Sequence, residues 1–180
     1  MTGHDVILAL YRNKARYVGV ERMTNKVIET LLEQDDFIQE RDWYRRRYTA
    51  GSVIFNMGDE SNNVYLILSG EVQATGSAQT SDGKELKPSF KTFVEGELFG
   101  EMVLFDQLPR SAMVSAIDDT EVAEINGQAL LDYMDSHPEQ GYRILSCIVT
   151  SLVSRLRETN EKLFSVYSWG LKAHGIDKHL

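Results

Sequence analysis

Glycine is concentrated in the middle of this chain, and this pattern limits the possible folds more than any other feature. Seven of the 13 glycines fall within residues 51–100, while both flanking segments contain few. The apolar runs between these glycines are short, are rich in strand-forming residues and end at turn residues. The middle of the chain is therefore predicted to form short antiparallel strands rather than long helices.

Roughly eight short strands fit this spacing. The clearest are Val53–Phe55, Val64–Leu68, Glu71–Thr75, Ser89–Val94, Ser111–Ala116 and Glu121–Ile125. The dipeptide Asp82-Gly83 is typical of a hairpin turn. Short strands joined by tight turns favour a small antiparallel barrel or jelly roll.

Helical periodicity occurs only outside the glycine-rich segment. It predicts helices over about residues 6–20, 21–39, 128–136 and 139–167, with Pro138 separating the last two. The fold class predicted is α+β, an antiparallel β-roll or jelly-roll barrel (double-stranded β-helix) with N-terminal helices and a long C-terminal helix. The corresponding segments are an N-terminal helical segment over residues 1–44, the β-barrel over 45–138, the long C-terminal helix over 139–167 and a tail over 168–180.

The long C-terminal helix carries a heptad seam. Its members follow alternating spacings of four and three residues: Leu145, Val149, Leu152, Leu156, Thr159, Leu163 and Val166. Such a seam favours packing against another helix, which predicts a homodimer. The same face can instead lie on the chain's own barrel, and the two arrangements are compatible because one end can dock while the other dimerises.

Charge and composition exclude several classes of protein. The formal net charge is −8, which disfavours DNA as a partner. The single cysteine, Cys147, excludes a disulfide framework and cysteine-based metal clusters, and it indicates a reducing cytoplasm. No apolar run approaches the length of a membrane span, and the four histidines show no metal-ligand spacing. The only basic cluster, residues 45–47, is predicted to be a solvated helix end.

One arginine stands apart from the acidic background. Between Lys91 and Arg143, Arg110 is the only lysine or arginine among 11 acidic residues. It follows a glycine turn at Gly100 and one predicted helical turn, whose backbone N–H groups suit a phosphate. Arg110 can place two donors on phosphate oxygens, and the Ser111 hydroxyl and Ala112 N–H add further donors. Residues 99–114 are therefore a candidate anion-binding segment.

Glu101 would repel a phosphate, so it needs another partner, and a sugar hydroxyl suits it. The alternative is that Glu101 and Arg110 form a surface ion pair, which contributes little to stability. The residues around them decide between these interpretations.

The chain closely resembles the cyclic nucleotide-binding domain family over about residues 45–165. The resemblance rests on Tyr48–Phe55, Gly58-Asp59, Tyr65–Val72, Glu95–Glu101 and Pro109–Ala112. The last two stretches match the family's phosphate-binding cassette at its usual spacing. The resemblance implies roles for the cassette residues: Arg110 holds the cyclic phosphate, Glu101 the ribose 2′-hydroxyl, Gly100 with Phe99 the sugar–phosphate edge, and Ser111 and Ala112 contact the phosphate. Met102 is a further candidate ligand-binding residue.

The ligand implied by the resemblance is a cyclic mononucleotide, with cAMP preferred. Residues 154–163 resemble the central helix of catabolite activator proteins, where a Thr-Ser pair contacts the adenine amino group, one residue from each subunit. Thr159 and Asn160 occupy that place here. A polar Thr159 on the seam can instead set helix register, and Ser111 is compatible with cGMP. A cyclic dinucleotide is disfavoured, because such a pocket encloses one nucleotide.

The function predicted is a non-enzymatic cyclic nucleotide sensor that relays binding through its C-terminal helix to a partner or dimer interface. No arrangement of catalytic residues or metal ligands suggests an enzyme. The alternatives are a cGMP-specific sensor, a regulatory fragment of a Crp/Fnr-type transcription factor, and a degenerate docking module that binds no nucleotide. The N-terminal 40 or so residues are the candidate surface for an unidentified protein effector.

Overall fold

The structure, a computed structural model, describes residues 26–79, 82–83, 85–86 and 88–173. Its strands are β1 (Trp43–Tyr48), β2 (Val53–Phe55), β3 (Val64–Ser69), β4 (Glu71–Thr75), β5 (Ala78–Gln79), β6 (Glu85–Leu86), β7 (Ser89–Val94), β8 (Leu98–Phe99), β9 (Met113–Ala116) and β10 (Thr120–Ile125). Its helices are α1 (residues 26–32), α2 (Val103–Asp106), α3 (Gly127–Ser136) and α4 (Pro138–Ala173).

Two four-stranded antiparallel sheets form a β-roll, which confirms the predicted fold class. The strand order is β1-β10-β3-β8 in the first sheet and β2-β9-β4-β7 in the second. The short strands β5 and β6 pair separately as a hairpin. The glycine-bounded runs of the sequence therefore do correspond to short strands, ten in the described residues rather than about eight.

The strand β3 shows how the sequence builds two apolar cores. Val64 and Leu66 face the helices, whereas Tyr65 and Ile67 face the interior of the roll. All four side chains are buried. Because neighbouring side chains of a strand point to opposite faces, a strand buried on both faces needs an uninterrupted apolar run, as seen here.

The helices cover the outer face of the first sheet. Ile28 of α1, Leu130 of α3, and Ile144 and Ile148 of α4 join one buried cluster with that sheet. The helix α3 begins after Asn126, whose side-chain oxygen accepts from the backbone N–H of Ala129 at 3.0 Å. The first part of α4 is therefore fixed to the roll by buried contacts.

The N-terminal helix ends earlier than predicted. We expected it to reach residue 39, but α1 ends at residue 32 and the chain turns through residues 33–42 into β1. Phe37 and Trp43 are buried in the cluster beneath the helices, and burying both requires the chain to leave the helix. Strand β1 also begins inside the division predicted as helical, residues 1–44. The predicted helix over residues 6–20 and the start of the next one lie outside the described residues.

The basic cluster at residues 45–47 is part of a strand, so the prediction of a solvated helix end was wrong. Arg45 and Arg47 form ion pairs with Glu121, and Arg46 forms one with Glu124 at 2.9 Å. These acidic residues lie on the neighbouring strand β10. The arginines and their acidic partners are far apart in sequence, so the local pattern gave no sign of the pairing.

The long helix α4 starts at the predicted proline and runs further than predicted. It continues past residue 167 to Ala173, so part of the predicted tail is helical. The single glycine near its end, Gly170, lowers helix stability but does not end the helix. Residues 174–180 lie outside the described residues.

Candidate functional site

A cavity of about 400 Å³ opens between the second sheet, residues 99–112 and α4. We call it the roll cavity. It is lined by side chains of β2, β4, β7 and β9, by the cassette segment, and by the middle of α4. Its volume falls within the range of small-ligand sites, roughly 300–1,000 Å³.

The backbone at Gly100 brings the cassette close to Arg110. Strand β8 ends at Phe99, and Gly100 then adopts a positive φ of 73° before the short helix α2. A Cβ atom at Gly100 would lie 2.7 Å from Arg110 Nη1. Glycine is therefore required here both by backbone conformation and by the arginine packed against it.

Arg110 is held rigidly by the backbone of neighbouring turns. Its Nη1 donates to Gly100 O at 2.8 Å, and its Nη2 donates to Asn63 O at 2.6 Å and to Ser61 Oγ at 3.2 Å. The guanidinium carbon lies 4.3 Å from the centre of the Phe55 ring. These contacts fix the position of the guanidinium without neutralising its charge.

The charge of Arg110 is buried and lacks an acidic partner among the described residues. The residue is only 4% exposed, and its Nε–H is buried with no hydrogen-bond acceptor. Burial lowers the pKa of the guanidinium, but an arginine remains protonated in a protein. A buried, unpaired cation is costly, so a site of this kind favours an anion in the adjoining cavity.

Aromatic rings form the wall beside Arg110. The Tyr65 ring stacks on Phe99 with a centre-to-centre distance of 5.1 Å. Burial, together with the charge of Glu124, raises the pKa of Tyr65 to about 12, so the hydroxyl is neutral at ordinary pH. Tyr65 therefore adds no formal charge to the wall beside Arg110.

Glu101 does not pair with Arg110. Its side chain is 1% exposed, and its Oε1 lies 3.0 Å from Nη1 of Arg155 on α4. Arg155 also donates to Leu98 O at 3.1 Å and to Ser151 Oγ at 2.9 Å. The sequence analysis missed this arginine, although Arg155 lies four residues before Thr159 and so shares its helix face.

The other cassette residues proposed from the sequence also border the roll cavity. Phe99, Met102, Ser111 and Ala112 all line it. Phe99 and Ala112 are buried, Met102 is half exposed, and Ser111 is exposed, with its Oγ 4.0 Å from Met102 Sδ. The fold thus gathers all seven cassette residues at one cavity.

The two candidates on α4 are placed differently. Thr159 lines the roll cavity, and its hydroxyl donates to Arg155 O at 2.8 Å. Asn160 is exposed and does not contribute to the lining formed by the described residues. The fold therefore brings only Thr159 of this pair to the chain's own cavity.

Three further charged residues outside the cassette segment line the cavity and were not anticipated: Lys91, Glu158 and Lys162. Lys91 Nζ lies 3.5 Å from Glu97 Oε1 and 3.6 Å from Glu158 Oε2. Lys162 Nζ donates to Phe90 O at 2.7 Å. Strand alternation could have placed Lys91 on the inward face with Phe93, because residues two apart in a strand share a face.

This geometry agrees with the comparison with known families. The profile of the cyclic nucleotide-binding domain matches residues 45–137, just over half of the chain. The protein belongs to the cyclic nucleotide-binding domain family. The matched range covers both sheets from β1 to β10, the cassette segment and α3.

Two of the relatives are regulatory proteins, and others are lysophospholipases of which the chain matches less than a tenth. The chain is 37% identical to a cAMP-dependent protein kinase regulatory subunit of Colletotrichum orbiculare over 84 residues, 47% of this chain and 20% of that protein. It is 33% identical to the cAMP-activated global transcriptional regulator Vfr of Pseudomonas aeruginosa over 124 residues, 67% of this chain and 54% of Vfr. The chain thus spans about half or less of these relatives.

A solved structure shares the arrangement. The c-di-GMP-responsive global regulator CLP of Xanthomonas campestris superposes with a TM-score of 0.63 at 30% identity, covering 77% of this chain and 62% of CLP. This similarity supports the fold, whereas the ligands of the relatives differ by name.

Two further observations concern the described residues. No helix among them is long and apolar enough to cross a membrane. No group of three or more His, Cys, Asp or Glu side chains among them is placed to hold a metal ion. The cytoplasmic location expected from the sequence stays a prediction.

Proposed function

We propose that this protein is a non-enzymatic cyclic nucleotide sensor whose preferred ligand is cAMP. The observation that carries the proposal is Arg110, a buried cation with no acidic partner among the described residues, which borders a cavity of about 400 Å³. A cyclic phosphate supplies a single negative charge, so it would neutralise this cation without overcharging the site.

The remaining cassette residues are arranged to receive a ribose phosphate. We assign Arg110, Ser111 and Ala112 to the phosphate, and Phe99, Gly100 and Met102 to the sugar–phosphate edge. Glu101 is assigned to the ribose 2′-hydroxyl. Arg155 approaches one of its carboxylate oxygens, Oε1, which leaves Oε2 to accept from a sugar hydroxyl.

The preference for adenine rests on the hydroxyl of Thr159. It donates its single proton to Arg155 O, so towards the cavity it can act only as an acceptor. The adenine amino group is a donor, whereas guanine carries an acceptor oxygen at the same ring position. Two relatives are also named for cAMP. The second candidate is cGMP, because the Ser111 hydroxyl can bond a guanine amino group.

The relay we propose runs from Glu101 through Arg155 into α4. Arg155 links the buried cassette carboxylate to the helix, so a ligand that engages Glu101 acts directly on the helix anchor. A ligand shifts the pose of α4 only by the difference in its affinity for the two poses.

The output end of the relay is the exposed seam of α4, which we propose forms a homodimer. Leu156, Leu163 and Val166 are each more than 60% exposed, and Val149 is 48% exposed. An apolar stripe at heptad spacing is covered when two copies pair. In such a dimer Asn160 would approach the cavity of the partner subunit, which fits the role implied for it by the sequence.

Calorimetry with cAMP, cGMP and c-di-GMP tests the proposed function. Wild type should bind cAMP most tightly, and Arg110→Ala should lose at least about 30-fold in affinity, as expected for a buried charge-assisted contact. Arg46→Ala, which removes an exposed arginine from β1, is the matched control and should bind normally. Circular dichroism verifies that each variant is folded.

Absence of binding by wild type at millimolar nucleotide would refute the sensor, and unchanged affinity in a folded Arg110→Ala would refute the cassette assignment. Tighter binding of c-di-GMP than of cAMP would replace the proposed ligand class. Chromatography of the incubated cAMP for AMP tests the non-enzymatic part, which sustained hydrolysis would contradict.

A further inference from the structure

The roll cavity also has a lysine, Lys91, at the end away from Arg110. Arg110 lies over the Phe55 ring of β2, and Lys91 is on β7. The strands β2 and β7 are the two edges of the same four-stranded sheet. Three strand spacings of about 4.8 Å place these edges roughly 14 Å apart. One cavity therefore runs across the sheet from one cation to the other.

The ammonium of Lys91 is held in place but keeps donors available. Its side chain is 18% exposed, and its Nζ lies 5.8 Å from the centre of the Phe93 ring. The carboxylates of Glu97 and Glu158 lie 3.5 Å and 3.6 Å away, beyond the usual hydrogen-bond range of about 2.7–3.2 Å. Glu97, in a loop, and Glu158, on α4, attract the ammonium electrostatically but accept no short hydrogen bond from it.

Lys162 makes a useful contrast on the same wall. Its ammonium also borders the cavity, but it donates to Phe90 O at 2.7 Å. Lys162 thus already uses one of its three donors in a short hydrogen bond, whereas Lys91 makes none at that distance to its two carboxylate neighbours.

We propose that Lys91 donates a hydrogen bond to N1 or N7 of the bound purine, and that Glu97 and Glu158 position it. This inference rests on the proposed function, since it takes the phosphate to lie at Arg110. The base then extends towards β7, and the acceptors it offers there are ring nitrogens, because an amino group cannot accept from an ammonium. Lys91 thereby contributes to recognition of the base, apart from the phosphate.

Calorimetry of Lys91→Met with cAMP, 7-deaza-cAMP and 1-deaza-cAMP tests the contact. Methionine keeps the apolar stem against Phe93 and removes the donor. Affinity for cAMP should fall about tenfold, the expected loss for one hydrogen bond from a charged donor. The analogue that lacks the contacted nitrogen should bind wild type more weakly than cAMP does and should be insensitive to the substitution. Lys162→Met is the matched control and should change cAMP affinity less than threefold.

Equal losses for cAMP and both analogues in Lys91→Met would overturn the contact, as would an unchanged cAMP affinity. Glu158→Gln should weaken cAMP binding when Lys91 is present and have no effect when Lys91 is replaced by methionine. This dependence would identify Glu158 as a positioning residue. An equal effect in both backgrounds would overturn that role. If wild type binds no cyclic nucleotide, both this inference and the proposed function fail. If wild type binds cAMP and Lys91→Met binds it equally well, only this inference fails.

Discussion

The two halves of α4 have similar apolar content but opposite surroundings. In the first half, Ile144 and Ile148 are each 1% exposed and belong to the cluster that joins the helices to the first sheet. In the second half, Leu163, Val166 and Trp169 are 63–71% exposed. Between them lie Arg155 and Thr159, which border the roll cavity.

This contrast indicates that the two halves of α4 have different roles. The first half belongs to the domain, because burial against the roll fixes it. The second half gains little from its own domain, since the described side chains beyond Lys162 are almost all exposed. A rigid helix that is anchored at one end and uncovered at the other can carry a change at the cavity to a surface outside the domain.

The largest expected effect is on the free energy of unfolding, which should respond differently to substitutions in the two halves of α4. Ile148→Ala should lower the free energy of unfolding by about 3 kcal/mol, because it leaves a cavity in the core. Leu163→Ala should lower the free energy of unfolding only by weakening association of the homodimer. Urea unfolding at two protein concentrations a hundredfold apart distinguishes them: the loss in Ile148→Ala should be the same at both, and that in Leu163→Ala should depend on concentration. A concentration-independent loss above about 2 kcal/mol in Leu163→Ala would contradict the contrast.

The next effect concerns the uncovered half directly. The double substitution Leu163→Glu/Val166→Glu should weaken the homodimer about 100-fold, because it places like charges on the seam in both subunits. Analytical ultracentrifugation measures the change. Ser165→Glu, which adds the same charge to an exposed position off the seam, is the control. A monomeric wild type at high micromolar concentration would refute the homodimer.

The smallest effect lies at the junction of the two halves. Arg155→Met should weaken cAMP binding about tenfold, since it removes the partner that orients the buried Glu101. Hydrogen exchange in the second half of α4 should also lose its response to cAMP. Arg143→Met removes an exposed arginine that pairs with Glu139 on the anchored half, and it should leave both readouts unchanged. A normal exchange response in Arg155→Met would show that the relay takes another route.

Much of the roll followed from local sequence. The predicted limits of β4 and β7 agree with the structure at both ends, because each is an alternating run bounded by turn residues. The end of α1 was missed, because burial of Phe37 and Trp43 against distant strands overrode the helical spacing. The strand at residues 45–47 was missed for a similar reason: its arginines pair with Glu121 and Glu124, which are remote in the chain.

The candidate site, too, could be predicted only in part from the sequence. The cassette residues lie in two short stretches, and the resemblance of these stretches to a known family nominated Glu101 and Arg110 together. Arg155 and Lys91 come from α4 and β7, and their side chains reach the cavity only after the sheet and helix have packed. Asn160 was nominated with Thr159 because the two occupy the place of the Thr-Ser pair in the resemblance to catabolite activator proteins. Neighbours on a helix point about 100° apart, and of these two only Thr159 lines the chain's own cavity.

The sequence by itself therefore determined the antiparallel roll, the cassette with its isolated arginine, and a long helix with an apolar seam. The roll and the helix are evident from local periodicity, of two residues for a strand or about 3.6 for a helix, and the cassette from its resemblance to a known family. Only the tertiary structure decided that Arg110 has no acidic partner among the described residues while Glu101 pairs with Arg155, and that Lys91 faces the same cavity. Those relations depend on which distant segments come into contact, and contact between distant segments is settled by packing the whole chain.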